Sequence, residues 1–188
     1  LATGSAESIA AYDTAKQALD ADLDRAGKIM VDPTRARQIA KARELLQTYE
    51  VGFRDLVANH RTRTAVDHDV LVPQAKLLAD GLQQLLKQAQ TNGDMNAAFQ
   101  ISNGLKAFFE STSLVNGFLL TSDARKATAA ADALKVTVTQ IQRMEKDQLE
   151  MEKLDVTLKD DAKKTLLASL QQAAGLYAKG LADVVAGK

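Results

Sequence analysis

Only two prolines, Pro33 and Pro73, interrupt a chain of 188 residues. Over long intervals the apolar residues recur at spacings of three and four. Proline is the residue a helix interior tolerates least, so its scarcity in a sequence rich in Ala, Leu, Gln and Lys favours long helices over strands. A hydrophobic fraction of 46% can supply a core. Cysteine is absent, which excludes disulfides and thiolate metal sites. Lys plus Arg and Asp plus Glu both number 24, with no long block of either sign. The basic face that a nucleic-acid partner requires is therefore not expected. Nor does any run approach the eighteen apolar residues of a membrane span.

The spacing predicts about six helices. The first, from about Ser5 to Val31, carries the stripe Ile9, Tyr12, Leu19, Leu23, Ala26 and Met30 and stops at Asp32-Pro33. The second reads Ile39, Ala42, Leu46, Tyr49, Phe53 and Leu56. His60 and Arg63 then interrupt the same face before Val66 and Val70, and Pro73 is expected to break or kink the helix near Leu71 to Val72. Helix three runs from about Gln74 to Gln90 and closes at Thr91-Asn92-Gly93. Asp94 caps helix four, which passes through Ala98, Ile101, Leu105, Phe108, Thr112, Val115 and Leu119. Ser122 and Asp123 cap helix five, from Ala124 to about Leu154. Thr157, with Asp160 three residues on, is the expected start of helix six, which would run to about Ala186.

The stretch Phe108 to Asp123, FFESTSLVNGFLLTSD, places polar Thr112 and Asn116 on the face defined by Phe108, Val115 and Leu119. Together with TYEVGFRDLV at Thr48 to Val57, the Asn92-Gly93-Asp94 turn between two Leu/Ala-rich helices, and the downstream Ala-rich helix, it resembles the helical bimodular sensor domain of bacterial methyl-accepting chemotaxis proteins. The resemblance spans roughly Leu23 to Leu134. It implies an all-α, elongated antiparallel bundle, with two stacked four-helix-type modules sharing long helices. Residues 1–188 would then form a single periplasmic ligand-binding domain of an inner-membrane bacterial receptor, with flanking transmembrane helices outside this stretch. A homodimer and membrane anchoring follow from the same likeness. So does a small organic ligand, in the first place a carboxylate.

No catalytic or metal-binding motif accompanies these features. There is no nucleophile elbow, phosphate loop or zinc helix, and His60 and His68 are too far apart for a helical metal pair. An enzyme is not expected, and no cofactor is implied. The candidate ligand-binding residues are Arg63 with His60, Thr112 with Asn116, and Arg25. An arginine can give a carboxylate two parallel hydrogen bonds, while hydroxyls and amides complete its shell. Each has a structural alternative. Thr112 can bond to its own helix, Asn116 to a neighbouring helix, Arg25 can extend to water, and His60 with Arg63 can mark where a helix leaves one core. Many members of the resembled family carry an arginine in the helix leading into the FLLT-like end. Here the interval STSLVNG has none, which leaves room for a neutral or aromatic ligand, or for none. The same input fold on a sensor histidine kinase, and a helical interaction module without ligand, are the alternative readings.

Overall fold

The computed structural model describes residues 5–187. Six α-helices follow in order: α1 (Ala6–Ile29), α2 (Pro33–Val66), α3 (Val72–Thr91), α4 (Met95–Thr121), α5 (Ala124–Leu154) and α6 (Asp161–Ala186). A π-helical turn, Asp67–Leu71, joins α2 to α3, and a 3-10 turn, Val156–Leu158, lies between α5 and α6. No strand occurs among the described residues, so the chain is all-α as its spacing predicts. It divides into two compact units, Leu1–Thr62 and Arg63–Lys188.

The first unit holds α1 and most of α2. Asp32 turns the chain between them by accepting the backbone N–H groups of Thr34 and Arg35 at 2.8 and 2.9 Å. Tyr12 stacks on Phe53 with ring centroids 3.9 Å apart, and Arg54 pairs with Asp13. Lys16 bridges Asp20 at 2.7 Å and Glu50 at 3.1 Å. Two helices cover only one flank of each other, and the consequence shows in the burial. The expected stripe residues Ile9, Tyr12, Leu23, Ile39 and Leu46 are half-buried, whereas Leu19, Tyr49 and Leu56 are exposed. No residue of α1 is fully buried, and of the α2 residues only Val57 is.

The second unit is a four-helix bundle of α3 to α6, entered through the π-helical turn. The π-helical turn falls where Pro73 is expected to break or kink the helix, near Leu71 to Val72, and the chain continues helically beyond it. Pro73 cannot donate to the carbonyl four residues back, and the preceding backbone widens, so that the N–H of Val72 reaches Asp67 O five residues away. The widened turn seats Leu71 against α6 at Gly180, where an added Cβ would lie 3.0 Å from Val70 Cγ1 and 3.1 Å from Leu71 Cδ2. The core is built from Leu78 and Leu82 of α3, Ile101 and Phe108 of α4, Ile141 of α5, and Tyr177 of α6. Tyr177 meets the ring of Phe108 edge-on at 5.8 Å.

Within this bundle α4 and α5 form a tight helical hairpin, joined by Ser122 and Asp123. Small residues let their backbones approach. Ser111 Oγ donates to Ala130 O at 2.8 Å, and Thr137 Oγ1 donates to Gly104 O at 3.0 Å. That approach rotates α4 relative to the face expected from its large residues. Ser111 and Phe118 are buried, while Leu105, Thr112 and Leu119 lie half-buried on the shoulder. At the far end, α6 starts at Asp161 with Asp160 as its cap, in place of Thr157, which sits in the 3-10 turn.

Candidate functional site

Among the described residues of the second unit, four polar side chains are buried: Gln100, Ser111, Thr137 and Gln148. A buried polar group left without a partner costs about 1–3 kcal/mol, so each should be accounted for. Ser111 and Thr137 are satisfied by the backbone carbonyls just described. Gln148 donates to Leu158 O at 3.1 Å and to Glu152 Oε1 at 3.2 Å, which ties the 3-10 turn to α5. Gln100 is the exception. The residue is 9% exposed and its amide makes no hydrogen bond within the described protein, but its polar atoms keep contact with solvent, the buried side-chain atoms without a partner being Tyr12 Oη and Arg63 Nη2.

The Gln100 amide opens onto a cleft of about 580 Å³ at the end of the bundle where α3 gives way to α4 and α5 to α6. Leu85, Ile101 and Met144 form an apolar floor beside Gln100 and Gln148. The rim carries Asp94, Asp147, Asp160 and Lys163. Two of these carboxylates are already engaged as helix caps. Asp94 accepts from the N–H of Ala97 at 2.9 Å, and Asp160 accepts from the N–H of Lys163 at 2.8 Å. Beside the cleft, Lys164 binds Glu152 at 2.9 Å. That hydrogen bond, helped by the one from Gln148, holds the Glu152 carboxyl below the usual glutamate range.

The residues singled out from sequence lie elsewhere. Arg25 and His60 belong to the first unit. Arg25 is exposed, 3.5 Å from Asp22, and His60 is exposed on α2. Arg63, Thr112 and Asn116 belong to the second unit. Arg63 lies over the Phe118 ring, its guanidinium carbon 5.1 Å from the centroid, and donates through Nη1 to Ser122 Oγ at 3.2 Å. Its Nη2 is shut off from solvent without a partner. Thr112 donates to Phe109 O of its own helix at 2.9 Å, and Asn116 is exposed. None of the five lines the Gln100 cleft.

A second opening, about 750 Å³, runs between the start of α5 and the end of α6. Ala127, Ala131, Leu134, Val138, Leu181 and Val185 make it mainly apolar. Among the described residues, no group of three or more histidine, cysteine or carboxylate side chains is placed to hold a metal ion. No described helix is long and apolar enough to cross a membrane.

Sequence alone does not single out Gln100, because the large apolar residues of α4 define a different face. The signal was present in the small ones. Ala97, Gly104, Ala107 and Ser111 share a face at three- and four-residue spacing, and Gln100 is the one long polar side chain among them. Comparison with family models, with curated proteins and with solved structures gave no match.

Proposed function

We propose that this chain is the extracytoplasmic sensor domain of a bacterial chemoreceptor of the methyl-accepting type, and that a small organic solute binds between its helices. The observation that carries the reading is the cleft with Gln100 in it. Three of the four buried polar side chains of the bundle are paired within the protein, and the fourth faces an opening of ligand size. The all-helical architecture and the likeness of the Tyr49 to Phe53, Asn92 to Asp94 and Val115 to Asp123 segments to helical bimodular sensors support it. On this reading the domain lies in the periplasm as part of a membrane-anchored homodimer. Solute binding biases the relative position of the signalling helices, by no more than its differential affinity for the two arrangements. The same input on a histidine kinase would work by the same physics.

A thermal-shift screen of organic acids, amino acids, amines and aromatic acids against the purified domain tests this. A solute at a hundredfold excess over its dissociation constant adds about 2.7 kcal/mol to stability, well above detection. Silence across every class would overturn the direct-sensor reading and favour the ligand-free interaction module, for which the apolar α5/α6 opening is the specific observation.

A further inference from the structure

We propose that the cleft at the α3/α4 and α5/α6 end of the bundle takes an amine-bearing solute with a short aliphatic body. Its ammonium would be held by the Asp147 carboxylate and the Gln100 amide oxygen. This rests on the sensor reading and replaces the carboxylate ligand that the family likeness implies.

Three observations carry it. The first is the rim charge: Asp94, Asp147 and Asp160 against one cation, Lys163, so the lining is net negative by two. A dicarboxylate would enter against that field, and an ammonium would enter with it. The second is that the bundle's usual anion sites are already filled. The N-termini of α4 and α6, where exposed N–H groups would favour a carboxylate, each hold a carboxylate of the chain itself, Asp94 and Asp160. Asp147, by contrast, enters no ion pair or hydrogen bond among the described residues and is exposed on α5. The third is Gln100, a residue nine-tenths buried whose solvent-reached amide has no protein partner, beside the apolar surface of Ile101 and Met144. The amide supplies an acceptor that an ammonium can use. The floor suits a hydrocarbon chain, and the methionine thioether adapts to its shape. Lys163, which also has no ion-pair partner among the described residues, allows the ligand a carboxylate in addition to its amine.

The test is calorimetric titration and thermal shift of the whole domain with butylamine, 1,4-diaminobutane, leucine and succinate, repeated on Gln100→Leu and Asp147→Asn. Asp147 is exposed, so its variant leaves the fold intact, and circular dichroism checks Gln100→Leu. Saturable stabilisation is expected with at least one amine-bearing probe and none with succinate. Each variant should weaken binding about tenfold, and added salt should weaken it further in the native protein. Stabilisation by succinate alone overturns the amine assignment and leaves the sensor reading standing. An amine response equal in both variants overturns the cleft while sparing the sensor. A flat response to all four probes removes the amine proposal, and the sensor reading with it if the wider screen is also silent.

Discussion

At the scale of single residues, glycines in this bundle have two distinct origins, and the distinction is measurable. Gly81 faces α6 so closely that an added Cβ would sit 2.6 Å from Leu170 Cδ2, while Gly175 has nothing within 4 Å. Gly81→Ala therefore forces buried Leu170 to move and should destabilise by about 1–3 kcal/mol, even after the gain in helix propensity. Gly175→Ala meets no atom and should stabilise by about 1 kcal/mol, the propensity difference alone. Urea denaturation of the two variants checks both signs. Equal effects would mean that the α3/α6 approach is looser than described. Thr112 teaches the related lesson. It was expected to face inward, yet its hydroxyl bonds to its own helix, because Ser111 one position away is small enough for the face on which α5 packs.

At the scale of elements, the connection from α5 to α6 is held by polar contacts more than by apolar burial. Gln148 reaches Leu158 O, Glu152 takes Lys164, and Leu158 itself is exposed. The depressed Glu152 carboxyl fixes the sign of the pH response. Its folded pKa lies below its unfolded one, so its contribution to stability is present above the ordinary glutamate range. That contribution is lost as pH falls through the ordinary value toward the folded one. Glu152→Gln should therefore lower stability at neutral pH and flatten the acid limb of the stability curve between neutrality and that window. Denaturant midpoints measured across pH in both proteins decide it. Unchanged acid limbs would show that the pair is screened by solvent. The element boundaries themselves were largely legible in sequence. Asp94, Asp123 and Pro33 begin helices as their chemistry dictates, and Asn92-Gly93 ends one. Pro73 interrupts its helix near Leu71 to Val72 as expected, and only the form of the interruption, a wider turn accommodated beside Gly180, was not legible in sequence.

At the scale of the whole molecule, burial divides the chain unevenly. The second unit buries a continuous set of Leu, Ile, Phe and Tyr side chains, whereas among the described residues of the first only Val57 is fully buried. Local opening is cheapest where few apolar side chains are buried. Amide hydrogen exchange should thus be markedly slower in the cores of α3 to α6 than in α1 and the first half of α2. Uniform protection along residues 6–186 would contradict this and show that the first unit gains its stability from apolar surface covered in solution.

By itself the sequence determined the helical class, most of the caps and turns, and the apolar stripes of the second unit, because those depend on residues near one another along the chain. It also indicated that polar groups turn inward on α4. Which polar groups they are was decided only by tertiary structure. The close approach of α5 through Gly104, Ser111 and Thr137 rotates α4, satisfies Ser111 and Thr137 on backbone carbonyls, and leaves Gln100 facing a cleft. No local pattern specifies that rotation, since it follows from how two helices with small residues settle against each other.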